Sequence, residues 1–355
     1  MDIVAARLKT RQRDRLTIYD TPFRKVWLGL LAVALVLFPQ SASRYSITIA
    51  TGIALAVIGA VATNILIGVA GQASIGNAAF MAIGAFSATV FGIDWHLPFV
   101  VVVLASGVVG ALVGLLVGIP AFRLRGMYLV IATLALHFVV LYLVDRYQVS
   151  RVGPSGFIMP EFRLGSLSRI DTWYYLLTFG ACISLLIMTN LLRSRFGRVW
   201  GAIGQEEIAA DILGVSVKRQ KLLVFALTSF IIAAQGAMFA YYLGVATSEA
   251  FTFDLAVQYI AIIVIGGSGS VLGSVFGAAF VVGLPYAVIE VFKMLPHRLG
   301  TSLTGRLFDI QTIIYGVAIV IFLIAEPGGL VQLWRRFRAW LAPWPLTRES
   351  ALREW

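Results

Sequence analysis

Apolar runs of about 20 residues, each long enough to cross the hydrocarbon core of a bilayer as a helix, recur along the chain between short polar stretches. The pattern predicts ten candidate spans, with boundaries good to a few residues: 26–38, 46–69, 76–93, 98–119, 126–144, 173–192, 222–246, 255–273, 274–292 and 310–325. We therefore expect an all-α, polytopic membrane protein with about ten transmembrane helices.

The boundary between the eighth and ninth spans falls inside one uninterrupted apolar run. The run is too long for a single crossing, and four glycines lie where it would turn: Gly266, Gly267, Gly269 and Gly273. Glycine favours turns because it adopts backbone conformations that are closed to other residues. We therefore expect two spans joined by a tight glycine turn.

The first span has two interpretations. It is short and ends at Phe38-Pro39, as a retained span can. A basic leader, 13 apolar residues and then Ser41-Ala42-Ser43 also resemble a signal peptide with a small-residue cleavage site. The 25-residue leader is long for such a peptide, which favours a retained span. Cleavage would leave the orientation of the other nine spans unchanged.

A polar break interrupts the apolar pattern between the second and third spans, over residues 64–79 (NILIGVAGQASIGNAA). Non-helical backbone and polar groups are tolerated at membrane depth only where protein or a water-filled cavity satisfies them. One interpretation is a broken or re-entrant element that lines a solute path. The alternative is close helix packing through small residues, with polar side chains bonded between helices. The candidate residues are Gly71, Gln72, Ser74, Gly76 and Asn77.

The longest loop on the predicted inner side, residues 193–221, contains the segment GQEEIAADILGVS. It predicts a short amphipathic helix, in which Ile208, Ile212 and Leu213 have helical spacing and Gly214 ends the helix. Such a helix suits docking into a groove on a soluble partner. The alternative is a helix resting on anionic lipid through its basic flanks, against which the acidic pair Glu206 and Glu207 argues.

The outer loop 145–172 contains Gly153-Pro154-Ser155-Gly156. It is long enough to carry a short helix or to meet an external protein. It equally fits a packed connector between spans, and we favour the connector.

Composition excludes a water-soluble globule, because 59% of the residues are hydrophobic and 13% are charged, whereas soluble domains carry roughly 25% charged residues. The net charge of +11 gives an orientation. With the N-terminus placed in the cytoplasm, 20 of the 28 basic residues lie inside, and the eight outside are matched by eight acids. Lys and Arg are retained on the cytoplasmic side, so both termini are predicted inside, and the case for nucleic acid disappears.

The sequence lacks the motifs of catalysis and nucleotide binding. Cys182 is the single cysteine, which leaves no Cys and His cluster with metal-ligand spacing. No Gly-Lys dipeptide occurs, so there is no phosphate-binding P-loop, and ATP would have to bind another subunit. The segment around Ser268 has the Gly-x-Ser-Gly form of rhomboid proteases, but the later histidine, His297, lies on the opposite side of the membrane in this topology.

An ion-driven carrier is a further alternative. Such carriers keep ionisable groups at mid-membrane to bind the coupling ion. Here His137 and Glu290 lie inside or near the ends of spans, and the acids gather at span ends and in loops. The pattern therefore disfavours a stand-alone carrier.

Four sequence blocks and the C-terminal tail point to one family. The blocks are GVAGQASIGNAAFMAIGAF, GMYLVIATLAL, SRFGRVWGAIGQEEIAADILGVSVKRQKLLVFALTSFIIAAQGAMFA and VIGGSGSVLGSVFGA, and the tail is FLIAEPGGLVQLWRR. Together they cover roughly residues 60–340. In these blocks the chain resembles the membrane-spanning permease subunits of ABC importers for branched-chain and other hydrophobic amino acids.

The resemblance implies half of a transmembrane path in the bacterial inner membrane. Its implied partners are two cytoplasmic ATPases that use the ATP, an extracytoplasmic binding protein and a second, non-identical permease; this chain itself would bind no cofactor. By position, the ATPase-coupling residues become Glu206, Glu207, Ala209, Ala210 and Gly214. Gly71, Gln72, Ser74, Gly76 and Asn77 become candidates for the solute path. The implied organisation is a basic cytoplasmic segment 1–25, a permease domain 26–330 and a cytoplasmic tail 331–355.

The chain departs from the family pattern at three places. Asn77 stands where a histidine is usual, GPSGF where a TGGxxG-like stretch is usual, and Ser274 where proline is common. Related permeases carry urea and short amides. The altered polar residues therefore leave urea or a short amide as the alternative solute.

Overall fold

A computed structural model describes residues 22–121, 127–163, 165, 167–293 and 328–341, with five isolated positions between 313 and 321. Helices dominate the described chain. They are α1 Pro22–Ser41, α2 Arg44–Thr63, α3 Asn77–Thr89, α4 Phe99–Ala121, α5 Met127–Val152, α6 Arg169–Arg193, α7 Arg195–Gln205, α8 Glu207–Ile212, α9 Val217–Leu243, α10 Phe253–Gly266, α11 Val271–Lys293 and α12 Gly329–Leu341.

Short irregular elements extend or connect these helices. Helices α2 and α3 continue as π-helical turns over Asn64–Val69 and Val90–Asp94, and single 3₁₀ turns cover Gly153–Ser155 and Ser248–Ala250. In the outer loop, β1 Phe157–Ile158 pairs antiparallel with β2 Val245–Ala246. The Phe157 side chain is buried, which supports the interpretation of this loop as a packed connector.

Eight of the predicted spans are long apolar helices in the structure, corresponding to the second through the ninth. The first predicted span lies within α1, which passes Pro39 and ends at Ser41. Helix α1 packs against α6, where the Tyr174 and Tyr175 hydroxyls each donate to an α1 carbonyl at 3.0 Å. The tenth predicted span, 310–325, lies largely outside the described residues, so the count of ten stays a prediction.

The predicted glycine turn is present between α10 and α11. Gly267 and Gly269 have φ of 111° and 75°, a region that residues with a β-carbon rarely adopt. Asn64, at the start of the π-helical turn after α2, forms hydrogen bonds to the glycine turn. Its Oδ1 accepts from the Gly269 amide at 2.7 Å, and its Nδ2 donates to the Ser270 carbonyl at 2.8 Å.

Helices α2, α3 and α9 form the centre of the bundle. In their most apolar stretches 72%, 67% and 61% of residues are buried, against 22% in α6 and 28% in α5 and α11. Helices α3 and α9 approach through glycine, since a β-carbon at Gly84 would overlap the Ala233 carbonyl and one at Gly236 would overlap the Met81 carbonyl. Small residues allow backbones this close, which van der Waals packing in lipid requires. The outer helices leave apolar side chains exposed, as lipid contact demands.

Different interhelical connections lie at the two ends of the helix bundle. At one end, segment 70–76 meets the loop around Gly204, and the turn after α10 meets Asn64. At the other end, β1 pairs with β2 and Arg151 forms an ion pair with Asp94. Of the four connections that the charge pattern predicts on the inner side, 70–75, 193–221 and 266–273 thus share one face, and the fourth, 120–125, lies largely outside the described residues. That this face is cytoplasmic stays a prediction from the charge pattern.

Helix α12 was not predicted from the sequence. It begins at Gly329, crosses the predicted boundary between the permease domain and the tail, and packs against α10 and α11. A β-carbon at Gly329 would lie 2.6 Å from the Gly267 amide nitrogen, which places α12 at the end of the bundle that carries the loop 193–221. Trp334 of α12 packs on Phe276 of α11, with ring centroids 5.8 Å apart.

Candidate functional site

The loop 193–221 forms two short helices, α7 and α8, between α6 and α9. Ser194 caps α7 by accepting from the Gly197 amide at 3.4 Å. Glu206 has extended backbone, with φ of −152° and ψ of 104°, and it separates the two helices. The short amphipathic helix predicted in this segment is α8, which starts at Glu207, and α7 before it was not predicted.

Packing on α9 explains this break. Ile203 of α7 and Ala210 of α8 belong to one buried cluster with Val217, the first residue of α9. In a straight helix, residues 203 and 210 would lie about 10 Å apart along the axis at 1.5 Å per residue. A change of direction at Glu206 brings both side chains to Val217, so tertiary packing overrides local helix propensity.

Polar contacts fix the loop on α9. Lys221 Nζ lies 2.6 Å from Glu207 Oε2, in an ion pair whose lysine side chain is largely buried. The Trp200 indole Nε1 donates to Gln220 Oε1 at 3.0 Å. Both helices of the loop are thus tied to the N-terminal end of α9, a helix long and apolar enough to span a membrane.

The outer surface of α8 is apolar. Ile208, Ile212 and Leu213 have exposed fractions of 64%, 80% and 81%, and we call these three residues the α8 tip. Gly214 follows with φ of 83° and ends the helix, as the sequence predicts. Large apolar side chains grouped on a surface outside the spans are typical of a site for a partner protein.

The five predicted coupling residues have different environments in the structure. Glu207 is paired within the chain, Ala210 is buried, and Gly214 serves the turn. Glu206 and Ala209 are exposed. The sequence predicts the helical spacing of the α8 tip but not its exposure, because spacing alone does not tell which apolar face of a helix packs inward.

The polar break contacts this same loop. Gly71 has φ of 66°, and a β-carbon there would lie 2.9 Å from the Gly204 Cα at the end of α7. The Gln72 side-chain amide lies 3.4 Å from the Lys221 carbonyl, at the residue that pairs with Glu207. Two segments that the sequence analysis treated separately therefore form one contact.

Beyond Gln72 the polar break enters the bundle. The Ile75 amide donates to Thr133 Oγ1 of α5 at 3.0 Å, and the Gly76 amide donates to Ser74 Oγ at 3.3 Å. Asn77 begins α3 and is 4% exposed, yet neither atom of its amide has a hydrogen-bond partner among the described residues. An unpaired buried polar group costs about 1–3 kcal/mol.

Ser74 and Asn77 line an enclosed cavity together with side chains of α2 and α9, including Thr63, Thr228 and Ser229. Its volume of 10 Å³ corresponds to roughly one water molecule. The cavity therefore does not admit an amino acid in this conformation. Of the five predicted path residues, the structure brings Ser74 and Asn77 together at this cavity, with Gly76 between them in sequence. It places Gly71 and Gln72 against the loop 193–221.

Two polar residues outside the five path candidates, Asn64 at the start of the polar break and Thr133 of α5, connect the break to other elements. Asn64 bonds the glycine turn, and Thr133 holds the Ile75 amide. Both partners are far away in sequence, so no local pattern identifies these contacts. An asparagine inside an apolar run was the available signal, because ionisable and polar groups in a span are costly unless they have partners.

The other residues weighed for chemistry lie apart from this region. Ser268 is exposed in the glycine turn, and Cys182 is exposed on α6. His137 is fully buried on α5, and its ring packs on Phe253 with centroids 6.4 Å apart. Within the described ranges, no group of three or more His, Cys, Asp or Glu could hold a metal ion.

Comparison with protein families gives one match that covers most of the chain. Residues 45–323 match the model described as the branched-chain amino acid transport system permease component. The matched region starts at the beginning of α2 and contains the polar break, the loop 193–221 and the glycine turn.

Curated relatives agree with this match. The chain is 28% identical over 342 residues to the high-affinity branched-chain amino acid transport system permease protein LivM of Salmonella typhimurium, covering 89% of this chain and 77% of the relative. LivM of Escherichia coli is 27% identical with the same coverage. The galactose/methyl galactoside import permease protein MglC of Haemophilus influenzae is 27% identical over 55% of this chain and 61% of its own length. No solved structure matches the chain significantly.

Proposed function

The chain belongs to the family of branched-chain amino acid transport permease components, and on that premise we propose that it forms half of the transmembrane path of an ATP-driven importer. Members of this family are transport subunits rather than enzymes. The proposed solutes are branched-chain or other hydrophobic amino acids, and both LivM relatives are named for branched-chain amino acid transport. ATP is hydrolysed on a separate partner subunit.

The α8 tip carries the proposal that ATPase subunits dock on the loop 193–221. Burying apolar surface is worth about 25 cal/mol per Å², so three exposed apolar side chains on one short helix favour a partner groove. Helix α8 is tied to α9 through the Glu207–Lys221 ion pair. We propose that motion of a docked ATPase reaches the membrane-spanning helices through this connection.

Affinity purification of the tagged chain from membranes of its own host tests this docking. Ile212→Asp with Leu213→Asp places two charges on the α8 tip, and we expect at least a tenfold loss of co-purified ABC ATPase. The matched control is Ile158→Asp, since Ile158 is 82% exposed at the opposite end of the bundle. Wild-type ATPase recovery with the α8 tip variant, at equal membrane levels, would reject the docking assignment.

We propose that Ser74 and Asn77 meet the solute in a second conformation. The closed cavity holds no amino acid, but alternating access requires helices to separate, and α3 and α9 enclose this cavity. The unpaired Asn77 amide supplies a donor and an acceptor there. Gly71 and Gln72 lie against the loop 193–221, so ATPase motion has a direct route to the same segment.

Competition against uptake of labelled leucine in host cells identifies the solute class. We expect excess isoleucine or valine to suppress uptake and excess urea, acetamide or galactose to leave it unchanged. Suppression by urea or acetamide alone would favour the short-amide alternative, and suppression by galactose would connect the chain to the sugar importers.

We further propose that the complete importer contains a second, non-identical permease and an extracytoplasmic binding protein. Native mass spectrometry of the purified complex gives the subunit masses directly. One copy of this chain with a different permease and two ATPases is the expected composition. Two copies of this chain with no other permease would reject the heterodimer.

A further inference from the structure

A hydrogen-bonded pair, Gln235 and Tyr259, lies inside the bundle, apart from the loop 193–221 and the cavity at Ser74 and Asn77. Gln235 of α9 is fully buried, and Tyr259 of α10 is 4% exposed. The Gln235 Nε2 group donates to the Leu55 carbonyl of α2 at 2.9 Å and to the Tyr259 hydroxyl oxygen. One side-chain amide thus connects α2, α9 and α10.

The pair has one acceptor and one donor that are not used. Gln235 Oε1 is buried and has no hydrogen-bond partner among the described residues. The opposite orientation of the amide would place Oε1 against the Leu55 carbonyl oxygen, and both atoms are acceptors. The Tyr259 hydroxyl receives its bond from Gln235 Nε2, which is a donor. Within the described chain the hydroxyl proton therefore has no acceptor.

The pair lies about one helical turn beyond the enclosed cavity. On α9, Gln235 follows the cavity residue Ile232 by three residues, or about 4.5 Å at 1.5 Å per residue. On α2, Gly59 precedes the cavity residue Thr63 by four residues. A β-carbon at Gly59 would overlap Gln235 Oε1, so this oxygen lies directly on the α2 backbone. A displacement of α2 from α9 would therefore open space at Oε1.

We propose that Gln235 and Tyr259 form a second contact for the transported amino acid, reached when α2 separates from α9 and α10. Gln235 Oε1 accepts from the ammonium group of the amino acid, and the Tyr259 hydroxyl donates to its carboxylate. Gln235 Nε2 positions that hydroxyl, because its bond to the oxygen directs the proton away from the amide. A neighbouring acceptor and donor match the two groups that every amino acid carries on its α-carbon. This inference rests on the proposed import of amino acids.

Transport by the complete importer in proteoliposomes, with its own ATPases and binding protein, tests this contact. The measured quantity is the labelled leucine accumulated per ATP hydrolysed. Tyr259→Phe removes the free donor, and Gln235→Met removes the free acceptor. We expect each variant to lower the ratio roughly tenfold or more, since a site that bonds its solute depends on those bonds. The rate of ATP hydrolysis should stay at the wild-type level.

Tyr241→Phe is the matched control. Tyr241 of α9 is also buried, and its hydroxyl lies against Gly92 in the π-helical turn after α3. Removing this hydroxyl should leave leucine accumulated per ATP unchanged. Gln235→Met also removes bonds that join helices. Tyr259→Phe leaves the bond to the Leu55 carbonyl in place and therefore decides the test if the methionine variant fails to fold.

Cross-linking locates the solute directly, with a leucine analogue that carries a diazirine in its side chain as the probe. The residues that line the enclosed cavity belong to α2, α9 and the segment 74–80, and none belongs to α10 within the described chain. Labelling of α10 within one turn of Tyr259 during ATP-driven transport is therefore the expected result. Tyr259→Phe should remove most of this labelling, and Tyr241→Phe should keep it.

Two results would overturn this site and leave the importer function intact. The first is a wild-type ratio of leucine to ATP in Tyr259→Phe. The second is labelling by the leucine analogue that is confined to the cavity at Ser74 and Asn77. Absence of ATP-dependent leucine accumulation by the wild-type complex would instead reject the proposed function, and this site with it.

Discussion

Asn77 has a buried amide whose oxygen and nitrogen both lack a hydrogen-bond partner within the described chain. Such a group does not stabilise the conformation in which it lies. The conformation seen here gives the amide only a cavity the size of one water molecule. The Asn77 amide would form hydrogen bonds in another state, in which solute or additional water contacts it.

We predict that Asn77→Leu separates folding from transport. Leucine has a similar size and no polar group, so the melting midpoint should stay equal or rise, while leucine uptake should fall at least tenfold. Ser106→Ala is the control, because the Ser106 hydroxyl on α4 is also buried with no hydrogen-bond partner among the described residues. Normal uptake by the Asn77 variant would remove it from the path.

Substitution of Gly71 tests the contact between the polar break and the loop 193–221. A β-carbon there is strained by the positive φ and approaches Gly204 to 2.9 Å. Gly153 has a similar φ of 75° and no neighbour within 4 Å of such a β-carbon, so Gly153→Ala introduces the strain alone, about 1 kcal/mol. We predict that Gly71→Ala lowers ATPase co-purification and that Gly153→Ala does not. Equal effects would mean that the contact is unimportant.

At the scale of elements, hydrophobic periodicity predicted most of the bundle. The second to ninth spans and the glycine turn at 266–273 follow from run length and composition, because a helix in lipid must be long and apolar. The helix break at Glu206 was not predicted, because it depends on the packing of Ile203 and Ala210 against Val217 and not on the local sequence. The sequence does contain a helical pattern at α12, with apolar residues at 330, 333, 334 and 337 and arginines between them. The sequence analysis assigned these residues mainly to the C-terminal tail and did not predict a helix there.

The ion pair between α8 and α9 positions the loop, and exchanging its charges tests that role. Glu207→Lys and Lys221→Glu should each lower leucine uptake, because each places like charges 2.6 Å apart in the present geometry. The double variant should restore uptake. An isolated ion pair of this exposure contributes about 1 kcal/mol or less, so neither single variant should unfold the chain in a melting experiment. Failure of the exchange to restore uptake would assign Glu207 directly to the ATPase contact.

Glycine contacts between α3 and α9 should control folding of the bundle. Gly84→Val places a side chain onto the Ala233 carbonyl in the most buried part of the chain, and overpacking there costs about 1–3 kcal/mol or more. Gly283→Val on α11 is the control, since nothing lies within 4 Å of a β-carbon at that position. Fluorescence-detected gel filtration should show loss of the folded peak for Gly84→Val alone. A wild-type profile for that variant would contradict the close approach.

At the scale of the whole molecule, one end of the bundle combines three kinds of surface. It has the apolar α8 tip, the contact of Gly71 with Gly204, and the arginine-bearing helix α12. Within the described residues, the basic side chains of the loop 193–221 and of α12 lie at this end. This arrangement fits the proposal that ATPase subunits drive the chain from this end of the bundle.

Accumulation of labelled leucine in proteoliposomes tests the central claim most directly. The purified complex, with its ATPases and binding protein, should accumulate leucine only when ATP is supplied, and Ile212→Asp with Leu213→Asp should abolish accumulation. The purified chain alone should neither hydrolyse ATP nor accumulate leucine under an imposed proton or sodium gradient. Gradient-driven accumulation by the chain alone would contradict the account and establish a secondary carrier.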